Sequence, residues 1–304
     1  MPKQALARSA SPAETERLLT GHRTPLQNGR NMLKRTSVGA LEIAYDEVGT
    51  GDRPFVMVHG FTGSRDDFAD VLEPIGALGR TLVPDLRGHG ATTNPGEGYS
   101  LTQLSNDLAD FLDTTGAEKC DLLGHSLGGM IALRLVLAEP ERVASLVLMD
   151  TAARSHAGMS NRSLGAIKWL TRRIPMRWHW RAIKANRRRL PEPARRAAQE
   201  MGDERYWARI RTKLEAMDPV AFDELLRAIL RQQSVLDRLH EIRCPTLVMV
   251  GDQDAAFLEP SREMADGIPD SKLTVIKAAH HSPQIEARSD WISEIQAHLE
   301  RVRA

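Results

Sequence analysis

Three short runs constrain the fold of this 304-residue chain more than any other feature: Phe55-Val56-Met57-Val58, Ser145-Leu146-Val147-Leu148-Met149 and Thr246-Leu247-Val248-Met249-Val250. Each is rich in Val and Leu and bounded by Gly, Pro or Asp. A strand with one wet face alternates apolar and polar residues. A continuous apolar run is buried on both faces, as in a parallel sheet covered by helices. Thr81-Leu82-Val83, Cys120-Asp121-Leu122-Leu123 and Leu273-Thr274-Val275-Ile276 fit as weaker strands of the same sheet. A hairpin is expected over Ser37 to Val48, where Leu41, Ile43 and Tyr45 alternate with Glu42 and Ala44. Helical spacing separates the strands: Leu101, Leu104, Leu108 and Leu112, then Ile131, Leu135 and Ala138, then Trp291, Ile295 and Leu299. Strands alternating with helices predict βαβ units with right-handed crossovers, hence an α/β fold with a mostly parallel twisted sheet.

One stretch breaks the alternation. Residues 151–235 hold no convincing strand but four of the five tryptophans, Trp169, Trp178, Trp180 and Trp207. Between Arg154 and Lys213 stand 17 Lys and Arg against four Asp and Glu, although the whole chain has a net charge of only +1. The segment reads as an inserted helical cap between two parts of one core, 35–150 and 236–304. Its charge reads as a solvated face, or as an attractor for an anionic substrate or an acidic membrane surface. Residues 1–34 are polar and are expected to form an arm outside the core, with a short helix around Pro12 to Leu19 as one option. The near-zero total charge gives no sign of nucleic-acid binding. No apolar run approaches the roughly 18 residues that cross a bilayer, and the first residues lack the apolar stretch of a signal peptide. Cys120 and Cys244 lie in or beside apolar runs and read as packed thiols. A cytoplasmic protein is the expectation.

The chemistry centres on Gly124-His125-Ser126-Leu127-Gly128-Gly129. It follows a predicted strand and precedes a helical run, the setting of a nucleophile elbow. A sharp strand-to-helix turn lifts a serine hydroxyl clear of the backbone, and the crowding leaves no room for a Cβ nearby. Serine at its free pKa is a weak nucleophile; it needs a base, and the base needs an orienting acid. Gly251-Asp252-Gln253-Asp254 and Ala279-His280-His281-Ser282-Pro283 follow two predicted strands, at the carboxyl ends where open parallel sheets carry their sites. Asp150 follows a third. No metal-ligand spacing occurs and no cofactor is expected.

Together with His59-Gly60-Phe61-Thr62-Gly63 and Asp85-Leu86-Arg87-Gly88-His89-Gly90, these motifs resemble the α/β-hydrolase superfamily, in its subgroup with a helical cap. The resemblance covers roughly residues 37–299. It implies an α/β-hydrolase fold with Ser126 as nucleophile, His281 as base and Asp254 as acid. His280 competes with His281, because the family often has glycine there; Asp252 and, more remotely, Asp150 compete with Asp254. The backbone N–H groups of Phe61 and Leu127 match the oxyanion donors. His59, His89, His125, Asp85, Arg87 and Glu286 are expected to support loops. The resemblance implies a serine esterase acting on an ester, lactone or thioester of a small molecule, anionic or with an apolar acyl group. Carbon–carbon bond hydrolysis, haloperoxidase-like chemistry and, remotely, a non-catalytic ligand receptor are the alternatives. Serine at the elbow argues against dehalogenase and epoxide hydrolase chemistry, for which relatives carry aspartate.

Overall fold

The computed structural model describes residues 33–155 and 176–304. The proposed N-terminal arm up to residue 32, the region around Pro12 to Leu19 and Trp169 lie outside the described residues. Eight strands form one sheet: β1 (Lys34–Val38), β2 (Leu41–Val48), β3 (Phe55–Val58), β4 (Thr81–Pro84), β5 (Cys120–His125), β6 (Val143–Met149), β7 (Thr246–Gly251) and β8 (Ser271–Ile276). Their order is β1-β2-β4-β3-β5-β6-β7-β8. Only the β1–β2 and β2–β4 pairings are antiparallel. From β4 to β8 every pairing is parallel. The sheet is therefore the α/β, mostly parallel one that the apolar runs predict.

The central runs split cleanly between two faces because strand side chains alternate. Phe55, Met57, Leu123, Val147, Met149, Leu247 and Met249 face one apolar cluster. Val56, Val58, Leu122, Leu146, Leu148 and Val248 face the other. On the first face pack α1 (Leu72–Gly76) and α9 (Arg288–Arg303), through Leu72, Ile75, Trp291, Ile295 and Leu299. On the second pack α2 (Leu101–Thr114), α3 (Leu127–Ala138) and α8 (Ala255–Gly267). Ser100 caps α2 by accepting the Gln103 N–H at 3.1 Å. The helical spacings read from the sequence are buried except Ala138, which ends α3 and is exposed. β1 starts earlier than the expected hairpin: Lys34 opens it, and its ammonium meets Glu47 of β2 at 2.6 Å.

Between β6 and β7 the described residues form α4 (Met176–Ala185), α5 (Glu192–Met201), α6 (Asp203–Ala216) and α7 (Pro219–Leu230). Gly88, at φ +76°, lets α7 come close: a Cβ there would lie 2.5 Å from that of Ala221. The basic charge of this stretch is only partly solvated. Arg205 and Arg209 of α6 reach Asp70 at 2.7 and 2.8 Å, and Arg154 reaches Glu263 at 2.7 Å. Of the tryptophans described here, Trp207 is buried and Trp178 is half exposed, so neither core packing nor solvent takes them all. Among the described residues, no helix is long and apolar enough to cross a membrane.

Candidate active site

Ser126 sits between the last residue of β5 and the first of α3, at φ 52° and ψ −113°. That conformation is costly for a residue with a side chain, by about 1–3 kcal/mol. Neighbouring contacts hold it. Ser126 N–H donates to Met149 O at 2.9 Å, and Thr151 Oγ1–H donates to Ser126 O at 2.6 Å. The flanking glycines are required sterically. A Cβ on Gly124 would lie 2.4 Å from Gly128 O, one on Gly128 2.3 Å from Val58 O, and one on Gly129 2.5 Å from the Thr151 methyl.

The loop after β8 brings His281 to this serine. Its Nε2 lies 3.1 Å from Ser126 Oγ and its Nδ1 lies 2.6 Å from Asp254 Oδ2. With Asp254 ionised, Nδ1–H donates to the carboxylate and Nε2 is left to accept from the serine hydroxyl. The loop is built around its backbone. Glu286 Oε2 accepts the His280 and Ser282 N–H groups at 2.7 and 3.3 Å. His125 Nε2–H donates to His281 O at 2.7 Å. The His280 ring stands 6.5 Å from that of His281, centroid to centroid.

Asp254, 2% exposed, ends the turn after β7. Burial pushes its carboxyl up, but the His281 hydrogen bond and charge outweigh burial and hold it below the usual range. Asp252 is exposed, and its Oδ1 accepts the Ala279 N–H at 3.2 Å, so it braces the histidine loop from outside. Asp150 is wholly buried at φ 45°, and its Oδ1 accepts the Gly251 N–H at 3.0 Å. Burial raises it well above the usual carboxylate range. Two neighbouring buried carboxyls repel each other's charge; burial favours the proton on Asp150, and the imidazole favours the charge on Asp254. Ligand-type atoms of Asp150, Asp254 and His281 lie within 4.8 Å of one another. A divalent cation takes several free oxygen donors, whereas in this set the imidazole is already hydrogen-bonded to Asp254.

The segment after β3 flanks the serine on its other side. A Cβ on Gly60 would lie 3.1 Å from both Ser126 Cβ and His125 Nδ1, so glycine permits the contact. His59 fixes the turn: Nδ1–H donates to Gly60 O at 2.8 Å and Nε2 accepts the Leu86 N–H at 3.0 Å. Burial pulls His59 down to about 4, so the ring is neutral, as those roles require. Phe61 packs its ring against Phe222 of α7, centroids 5.0 Å apart. Leu127 is the first residue of α3, where N–H groups lack intrahelical acceptors and the helix end is positive. Asp85 accepts the N–H groups of Arg65 and Ala91 at 2.7 and 2.8 Å. Arg87 holds Asp107 with two bonds of 2.7 Å.

The profile described as the alpha/beta hydrolase fold matches residues 53–288. The chain belongs to that family. Within it, the chain is 31% identical over 222 residues to 2-hydroxymuconate semialdehyde hydrolase from Pseudomonas putida, covering 68% of this chain and 72% of the relative. Its structure is similar to that of a thermophilic esterase from Thermogutta terrifontis, with a TM-score of 0.77, 27% identity, and coverage of 90% of this chain and 100% of the other. It is similar in fold to the enol-lactonase from Burkholderia xenovorans LB400, with a TM-score of 0.75 at 23% identity, covering 88% of this chain and all of that one.

Two participants in this hydrolase-fold site have no sequence signal of their own. Thr151 holds the elbow carbonyl. Asp67 pairs with Lys213, 146 residues away, behind the Gly60–Gly63 turn.

Proposed function

We propose that the chain is a serine hydrolase that cleaves a carboxylic ester, lactone or thioester through an acyl-enzyme on Ser126. The observation that carries this reading is the linear chain from Ser126 Oγ to His281 Nε2 at 3.1 Å and from His281 Nδ1 to Asp254 at 2.6 Å, mounted on a strained elbow. His281 takes the hydroxyl proton as Ser126 Oγ attacks the carbonyl carbon. The resulting oxyanion is received by the Phe61 and Leu127 N–H groups. His281 then gives its proton to the leaving oxygen or sulfur as the bond to it breaks. Water, deprotonated by the same ring, attacks the acyl carbon; the bond to Ser126 Oγ then breaks, Oγ takes the proton back from His281, and the acid is freed. Asp254 keeps the ring in the required tautomer and stabilises its charged form.

The helices over 176–230 act as a cap that selects the acyl group. A cavity of about 130 Å³, lined by Ile183, Leu190, Tyr206, Trp207, Ile210, Leu214 and the Lys213 side chain, is mostly apolar and supports a small apolar acyl group. Thr62, next to Phe61, lines the same cavity. Similarity to a thermophilic esterase supports ester cleavage. The test is turnover of short-chain p-nitrophenyl esters, present in wild type and lost in Ser126→Ala.

The 31% identity with a 2-hydroxymuconate semialdehyde hydrolase favours a second reading, hydrolysis of a carbon–carbon bond by the same residues. Turnover of 2-hydroxymuconate semialdehyde with none of any ester selects it.

A further inference from the structure

The basic side chains of the inserted helices meet the two loops that flank Ser126. Lys213 of α6 forms an ion pair with Asp67 in which both side chains are nearly buried, 12% and 7% exposed. Asp67 is not a bystander. Its Oδ2 accepts the Ser64 N–H at 3.3 Å and closes the capping box of the 3₁₀ turn Arg65–Phe68, directly after the Gly60–Gly63 turn. That oxygen fills the space beside the turn that a side chain at Gly63 would need: a Cβ there would lie 2.4 Å from it. On the other side of the serine, Arg196 Nη2 of α5 donates to the carbonyls of Ala278 and Glu286, at 2.5 and 3.1 Å. These two residues bracket His281 in the chain.

We propose that Lys213 is a positioning residue, and that α5 and α6 form a strut. Lys213 secures the loop that carries Phe61 while Arg196 secures the loop that carries His281. The proposal rests on the esterase reading given above, and it goes beyond a cap that only admits or excludes substrate. Burial alone would push Asp67 up, yet the Lys213 charge and hydrogen bond keep it below the usual carboxylate range. Without Lys213 the carboxylate must protonate or turn toward water. Either response shifts residues 63–67 and, with them, the Gly60–Gly63 turn, where a Cβ on Gly60 would lie only 3.1 Å from Ser126 Cβ. A displacement of an ångström at an oxyanion donor costs on the order of 100-fold in rate.

The strut makes turnover of substrates too small to reach the cap cavity depend on Lys213. The experiment uses p-nitrophenyl acetate with wild type, Lys213→Met, Lys213→Arg and the double variant Asp67→Asn/Lys213→Met. The double variant leaves no unpaired buried charge and keeps an oxygen for the Ser64 N–H, so it folds even where the single variant does not. The expected result is a kcat lower by roughly 10- to 100-fold in both Met variants, with KM within about threefold and most of kcat restored by Arg. Hydrogen exchange at the Gly63 amide, which donates to Gly60 O at 3.0 Å, is expected to quicken in the same two variants. An unchanged kcat in the folded double variant, or a rise in KM alone, overturns the proposal. If wild type hydrolyses no ester, the esterase reading fails. The exchange rate of Gly63 still decides the strut, and equal rates in wild type and the double variant refute it.

Discussion

His89 provides a sharp test of how burial sets the electrostatics around this site. The residue is 1% exposed, with Nδ1 bonded to Arg87 O at 3.0 Å and Nε2 without a partner among the described residues. Burial, aided by the His59 ring beside it, pulls its pKa down to about 3. In the unfolded chain a histidine titrates near 6.5. Above pH 6.5 both states hold the ring neutral and it adds no pH dependence. Below that, the unfolded chain binds a proton that the folded ring refuses. Stability is therefore present above the unfolded pKa and is lost as pH falls toward the folded one. Between pH 7 and pH 5 one such ring costs about 2 kcal/mol, with a slope near pH 5 of about 1.3 kcal/mol per pH unit. A domain is stable by only about 5–15 kcal/mol, so the effect is measurable. Asp85, Asp150 and Glu286 are raised by burial and work in the opposite direction, so the wild-type profile is a sum. His89→Gln isolates one part of it, because its amide can still donate to Arg87 O. Urea unfolding at pH 7 and pH 5 is expected to show wild type losing about 2 kcal/mol more than the variant over that interval, at equal m-values. Equal losses would mean that the folded ring titrates near its ordinary value, refuting the account of the buried histidines.

Further outcomes follow from the site and its supports. His281→Ala should lower kcat/KM by about 10³-fold or more, whereas His280→Ala should stay within about threefold; the reverse pattern would exchange their roles. Asp254→Asn should cost on the order of 10³- to 10⁴-fold by favouring the wrong imidazole tautomer, with little change in urea midpoint. Gly128→Ala places a Cβ 2.3 Å from Val58 O and 2.8 Å from His59 O, so thermal unfolding should reveal a loss of at least about 2 kcal/mol. Arg303 Nε donates at 2.8 Å to Asp121, a fully buried carboxylate also held by Arg53 and Ser145. Arg303→Ala should cost about 2–3 kcal/mol in urea, and a loss under about 0.5 would show that Arg53 alone suffices.

The central strands were legible because burial on both faces demands uninterrupted apolar residues. The edges were less so. β1 begins with Lys34, Arg35 and Thr36, and β8 with Ser271 and Lys272, because edge strands face water and tolerate polar residues. The elbow was legible because backbone crowding admits only glycine around Ser126, a demand written in residue type. The residues alone left His280 and His281 open, since adjacent residues of one type differ only in which ring the loop turns inward; the resemblance pointed to His281. The inserted helices were hardest. The 17 cations between Arg154 and Lys213 were countable, but the pairing of Lys213 with Asp67 depends on how helices close over the sheet. An excess of one charge over a segment names no partner.

Mass spectrometry of the protein quenched during turnover of a p-nitrophenyl ester tests the central claim most directly. One acyl adduct is expected, mapped by peptide analysis to Ser126, accumulating before the leaving group is fully released and absent in Ser126→Ala. An adduct on any other residue, or ester turnover that survives Ser126→Ala, would contradict it.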